Sequence, residues 1–331
     1  MLNRSEKCAM AGWIRYCTAV LCMLAACSAP AATVNGLYDA AVRVTDNSAA
    51  TREAAFATAL GIVAARVTGE RDAPDKLGAL LNSAPKYVQR YGYNSGFLEV
   101  GFDSSGVNQL LDQASLPLWG RERPVTLVVL PVSLQSMREA RAAIEQTARL
   151  RGVPLAWARE VSDRIDPANL TQIQAMADRY GAAATLLARM KDPTSAASLQ
   201  WQFVFDGTTQ SIDGAIDEGP HLAADVLGKY YAVADKETAT TVMDVAGIDG
   251  VDAYGTALNY LGGLSTVRTV KVESVRRDVV RFRLELRGAV ENFRRSLDVD
   301  QKLVVAQPVA PVDATATASA VLSYRYNNDR P

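Results

Sequence analysis

The stretch Trp119-Gly120-Arg121-Glu122-Arg123-Pro124-Val125-Thr126-Leu127-Val128-Val129-Leu130-Pro131-Val132 decides how the chain is divided. From Val125 to Val132 it holds six aliphatic residues, no charge, and Pro131 as a stop. A strand apolar on both faces belongs in the middle of a covered sheet, because at an edge or on an open face it would meet water. The residues ahead of it, with a Trp, two Arg and Pro124 at short spacing, predict a shaped turn into that strand. Trp119, Arg121 and Arg123 are therefore open to two roles. A Trp with flanking guanidiniums concentrates binding energy at partner surfaces. Alternatively, Trp119 covers the sheet end, an Arg pairs with a carboxylate and Pro124 sets the approach to the strand.

Upstream of the seam, residues 33–132 predict an N-terminal α+β module. Tyr38 to Thr45 alternates as a strand, and Ser48 can cap a helix striped by Phe56, Leu60, Val63 and Val67 and closed by Gly69. A less regular helix is expected over Lys76 to Ala84. Strands Tyr87 to Tyr93 and Phe97 to Asp103 flank Asn94-Ser95-Gly96, a short hairpin loop. Asp103-Ser104 then caps a helix through Leu111 that leads to the seam strand, the last of this module.

Downstream, residues 133–240 predict a middle α/β module. Its elements are a helix from Ser136 to Arg151, a helix starting at Asp166-Pro167, a buried strand from Ala183 to Met190 and a half-buried strand from Leu199 to Asp206. In that last strand Val204 is expected to face out. Gly207 to Gly219 reads as a polar loop, and His221 to Ala232 as a helix. Residues 241–331 predict strand, helix, hairpin, helix, strand, the ferredoxin-like βαββαβ plan. Residues 306–319, rich in Ala, Pro and Thr, read as a flexible loop, and Ser323 to Tyr326 as an added edge strand. The fold class is α+β, as small α/β sandwich modules in series.

All four cysteines, Cys8, Cys17, Cys22 and Cys27, fall in the first 27 of 331 residues. Arg4, Lys7 and Arg15 precede and border an apolar run from Tyr16 to Ala26, followed by small residues and a proline, the grammar of a secretory signal peptide over 1–32. The run is shorter than the roughly 20 residues a spanning helix needs. Two processing routes are open. Leu24-Ala25-Ala26-Cys27 resembles a lipobox, in which Cys27 is acylated and becomes the N-terminus; Ala29-Pro30-Ala31 serves ordinary signal peptidase. The expected location is the periplasm, or the outer membrane through a lipid anchor facing the periplasm.

The chain has a formal charge of −1. The leader holds three cations against Glu6, so the remainder is near −3. No basic stripe offers a footprint for nucleic acid. One histidine, His221, and no cysteine beyond the leader leave little for nucleophilic or metal chemistry, and no phosphate-cradling glycine loop is present. No catalytic residue, metal ligand or cofactor is expected. Asp103, Asp206, Asp213 and Asp217 at strand ends and loops are the carboxylates that a hydrolase of an envelope polymer would use. On the last hairpin Arg281, Arg283 and Arg287 share a face, either solvated or partner-binding.

The segments Leu37-Tyr38-Asp39-Ala40-Ala41-Val42, Tyr87-Val88-Gln89-Arg90-Tyr91, Trp119-Gly120 and Arg123-Pro124 resemble a proteobacterial envelope family, a domain of unknown function numbered twenty sixty-six. That resemblance implies an envelope location and no established activity. Ala177-Asp178-Arg179-Tyr180-Gly181-Ala182 running into a strand is similar to N-terminal modules of Tol-type envelope assembly proteins, at the level of fold. The function expected is a non-catalytic scaffold or binding component with an envelope protein as partner; the alternative is a carboxylate-dependent hydrolase.

Overall fold

The computed structural model describes residues 31–135, 137–192, 195–233, 238–300, 302–306 and 321–326. Cys27 and the leader through residue 30 lie outside them, as does the expected loop over 306–319 apart from Ala306. Helices and strands mix in several small sheets, an α+β fold. No described helix is long and apolar enough to cross a membrane.

The first module is a three-stranded antiparallel sheet, β2 (Asp39–Arg43), β4 (Phe97–Phe102) and β3 (Val88–Asn94) in that spatial order, with α1 (Ala49–Thr68) on one face. Ser48 caps α1 by accepting from the Thr51 amide at 3.3 Å, and Gly69, at φ +75°, ends it in the left-handed conformation. Phe56, Leu60, Val63 and Val67 are buried against Leu98, Val100 and Phe102. The irregular second helix resolves into a short turn, α2 (Ala73–Leu77), and a 3₁₀ run over Gly78–Tyr87. Asp103 caps α3 (Ser104–Gln113) from its side chain.

The seam strand does not complete this module. β6 (Thr126–Val129) lies between β7 (Leu155–Trp157) and β8 (Ala184–Asp192), parallel to both, in a five-stranded sheet ordered β10-β9-β8-β6-β7. The first sheet has its helical cover on one side, whereas this one is covered on both, so it is where a strand apolar on two faces can be buried. On one side Val128 and Leu186 pack with α5 (Arg138–Arg151) and α7 (Glu218–Tyr231); on the other Leu127, Val129 and Leu187 pack with α6 (Leu170–Arg179). A one-turn helix, α4 (Val132–Gln135), precedes α5.

Three expectations for the middle change. Gly207 to Gly219 is not a loop: β9 (Ser195–Phe205) turns back through Asp206 and Gly207, both at positive φ, into β10 (Thr208–Gly214). Asp-Gly is the residue pair that such a turn favours, and an exposed edge strand needs no apolar alternation. Val204 does not face out, because α6 covers that side. Asp166 forms a local turn to the Ala168 amide, and the helix starts three residues later, capped by Asn169 on Gln172.

The last module has α8 (Val251–Gly263) and α9 (Val290–Asp300) on one face of a sheet ordered β12-β13-β11-β15-β14. β11 (Thr238–Ala246), β12 (Val267–Arg276) and β13 (Val279–Arg287) follow the expected plan, with β13 antiparallel to both neighbours. The difference lies on the other side of β11. β15 (Leu322–Tyr326) is interior, parallel to β11, and pushes β14 (Leu303–Val305) to the edge. β15 buries Leu322 and Tyr324, whereas β14 buries Leu303 alone, so the more apolar strand takes the inner position.

The first and middle modules meet where α1 ends against α7. A Cβ on Gly228 would lie 2.8 Å from the Gly69 Cα, a contact between backbones that no rotamer change relieves. Gly228→Ala is expected to destabilise the protein by about 1–3 kcal/mol, measured as a lower urea midpoint without loss of helical signal.

Candidate functional site

The seam residues sit where the modules converge. The chain leaves α3 through Leu118, whose amide and carbonyl pair with Val233 at 2.9 and 3.0 Å. The Trp119 amide donates to the Val67 carbonyl at 2.7 Å, and the indole packs into the core of the middle module. Next, β5 (Glu122–Pro124) pairs antiparallel with β1 (Ala31–Thr33), Ala31 opposite Pro124.

Arg123 is wholly buried. Nε donates to Gly120 at 2.9 Å; Nη1 to the Arg151 and Gly152 carbonyls at 3.1 and 3.0 Å; and Nη2 to the Arg66 and Trp119 carbonyls at 2.8 and 3.2 Å. The guanidinium lies 3.8 Å from the Trp119 ring centroid, a cation–π contact. Five carbonyls, instead of the expected carboxylate, take its donors. Residues 66 and 151–152 are the C-terminal ends of α1 and α5, whose last carbonyls have no partner within the helix and carry the negative end of the dipole. Burial, and then the neighbouring Arg66 and Arg151 charges, lower the Arg123 pKa to about 9.

Arg66 and Arg151 repeat the device on either side. Arg66 reaches the Leu150 carbonyl at 3.1 Å and the Gly36 and Asp39 carbonyls at 2.9 and 2.7 Å. Arg151 donates to the Gly69 carbonyl at 2.7 Å and to Asp225 at 2.6 Å, and its Nη1 lies 3.0 Å from His221 Nδ1. Arginine only donates, so Nδ1 accepts and the neutral ring carries its proton on Nε2. Burial, then the Arg71 and Arg151 charges, lower the His221 pKa from its usual 6.5.

Trp119 and Arg123 thus face inward, and Arg121 is the member of the cluster at the surface. The arginines of the last hairpin are committed to partners within the chain. Arg281 makes two 2.7 Å bonds to Asp244, Arg283 pairs with Glu273, and Arg287 binds the Ser265 and Val267 carbonyls at 3.2 and 3.1 Å and reaches Asp112 of α3 at 3.4 Å. Cross-strand pairing of this kind neutralises the face it occupies.

The four candidate carboxylates are dispersed. Asp103 caps α3, Asp206 occupies the β9–β10 turn, Asp213 pairs with Lys191 at 2.8 Å, and Asp217 precedes α7. Among the described residues, no group of three or more His, Cys, Asp or Glu is gathered as a metal site requires.

What the junction leaves open is a cleft of roughly 530 Å³ between the first and last modules. One wall is α3, with Ser104, Ser105, Asn108 and Gln109; the other is Gly262 to Ser265 with Arg268 and Arg287; Arg121 projects from the seam. Across Gly120 and Arg121 it adjoins a hollow of about 280 Å³ that reaches Tyr260 and Lys302. Sequence reasoning missed this cleft, since its walls lie more than a hundred residues apart in the chain.

Arg123→Met keeps the length of the side chain and removes every donor. It is expected to lower stability by at least about 3 kcal/mol, since each carbonyl left unpaired costs ~1 kcal/mol or more; Arg123→Lys falls between, as one ammonium cannot satisfy five acceptors. His221 gives a pH test. The unfolded chain takes up a proton below 6.5 that the folded ring resists, so stability falls as pH drops through that value. Urea titrations at about pH 7.5 and about pH 5.5 should show a smaller difference in His221→Gln than in the parent.

Residues 31–120 match the family model described as Domain of unknown function (DUF8605). The match runs from β1 to Trp119-Gly120, the first module and the start of the seam. A domain of unknown function is therefore borne out there, under a number other than the one the sequence resembles. No curated protein matches the chain.

Proposed function

We propose that this protein is an exported, non-catalytic binding component of a Gram-negative envelope, holding its ligand or partner in the cleft between its first and last modules. The observation that carries the proposal is the junction itself: buried arginines join the first and middle modules, and the Arg287–Asp112 contact brings the last module beside them, leaving a polar cleft open to solvent. Clefts between modules are favoured binding places because separate elements supply their walls. The envelope address is supported by the leader and by the sequence resemblances to the twenty sixty-six domain and to Tol-type assembly proteins; a ferredoxin-like origin for the last module is supported by the β11-α8-β12-β13 arrangement.

Strand β1 favours the lipoprotein route. Cleavage before Cys27 keeps Ala31 paired with Pro124, whereas cleavage after Ala31 removes that residue from the strand. The hydrolase alternative draws no support from the geometry, since none of Asp103, Asp206, Asp213 and Asp217 lines the cleft.

Two measurements test the proposal. Intact mass of the protein from fractionated envelopes should show a triacylated species beginning at Cys27; an unmodified species beginning near Ala32 would replace the anchored form with a soluble periplasmic one. A photo-crosslinking residue at Gln109, on the exposed wall of the cleft, should give a discrete adduct in whole cells. If no envelope fraction contains the protein, or if cleft positions give no adduct while the parent protein is abundant, the proposal fails.

A further inference from the structure

The geometry points to the chemical class of what the cleft holds: a small anionic sugar, a hydroxyl-rich ring carrying a carboxylate or a phosphate. This rests on the binding reading above and assigns its ligand. Arg121, Arg268 and Arg287 line the larger hollow, and its one lining carboxylate, Asp39, is held by Arg90 at 2.8 Å. Arg287 shares its charge with Asp112 at 3.4 Å, but Arg121 is exposed at the point where the two hollows meet. Cations of one sign in a concave site with low-dielectric walls focus the field and raise the local concentration of anions.

Charge alone would suit a bare ion, and three further features select a sugar. Ser104, Ser105 and Gln109 both donate and accept, as vicinal hydroxyls do, and Asn108, whose Oδ1 already accepts from the Tyr38 hydroxyl at 2.8 Å, adds an amide donor; a fully deprotonated ion such as sulfate accepts only. The half-buried ring of Tyr38 also lines the cleft, giving apolar surface for the C–H face of a sugar ring. At roughly 530 Å³ the cleft lies within the range of small-molecule sites, about 300–1,000 Å³, and far exceeds the needs of one ion. The two sources of such a ligand, a carboxylated wall sugar and a sugar phosphate, share this chemistry.

Calorimetric titration of the full processed protein with N-acetylmuramic acid and with glucose 6-phosphate tests the assignment, with N-acetylglucosamine and inorganic phosphate as controls. One anionic sugar should bind at least about tenfold more tightly than either control, and raising salt from about 0.05 to about 0.5 M should weaken it. Which of the two binds identifies the source. Arg121→Glu should cut affinity about tenfold or more without moving the melting temperature, and Gln109→Ala should weaken it less, while Arg149→Glu, outside the cleft, should leave it unchanged. Silence with both sugars, equal binding of the neutral sugar, or binding indifferent to both Arg121→Glu and Gln109→Ala overturns the assignment. A crosslinked partner at Gln109 alongside silent titrations would remove the ligand class and leave the binding function standing.

Discussion

Arg123 is a full positive charge buried without a carboxylate beside it, at the point where two helices end. Removing such an ion from water costs several kcal/mol even after relaxation. Five carbonyl dipoles, the negative ends of α1 and α5 and the face of Trp119 offset that cost together, and no one of them is sufficient. The dependence is mutual. Without the guanidinium the terminal carbonyls of two helices would be buried unpaired, and without those helices in place the guanidinium would keep only the Gly120 and Trp119 carbonyls and the indole of its own turn.

The close approach follows from this constraint. Gly152, in the left-handed conformation at the end of α5, leaves its Cβ position to Arg123; a methyl there would lie 2.5 Å from Nη1. Gly69 and Gly228 let backbones of the first and middle modules touch. Arg66 and Arg151 extend the network outward to the Gly36–Asp39 segment and to α7. Three cations packed near one another repel, and backbone carbonyls rather than counter-charges take up most of that burden. A junction built this way has one geometry, because each guanidinium fork fits acceptors in a fixed plane. The cleft inherits that geometry from the walls the junction sets.

Much of the local structure was legible in the sequence. Ser48, Gly69 and the Phe56–Leu60–Val63–Val67 stripe specified α1 to its ends, and the alternation of Val280, Phe282, Leu284 and Leu286 specified the buried face of β13. The polar strand β10 was missed because exposed edge strands carry no periodic apolar signal, although Asp206-Gly207 was the turn pair that marks it. β15 was expected at an edge because its neighbours in the sheet, β11 and β14, could not be known from a run of five residues. The cluster Trp119, Arg121 and Arg123 stands out in the sequence as a dense group of one aromatic and two guanidiniums. Which of its members faces water was not readable, since adjacent residues in one turn point in different directions.

By itself the sequence determined most of the helices and the apolar strands, the α+β class and the double-sided burial of the seam strand, because propensity, capping and apolar periodicity act between residues close along the chain. The tertiary structure alone decided which sheet that strand joins, that Arg123 is satisfied by carbonyls and not by an acid, and that a cleft opens between α3 and the segment before β12. Those outcomes depend on which helix ends meet and how near their backbones come. Such distances arise between residues far apart in sequence, and no local pattern encodes them.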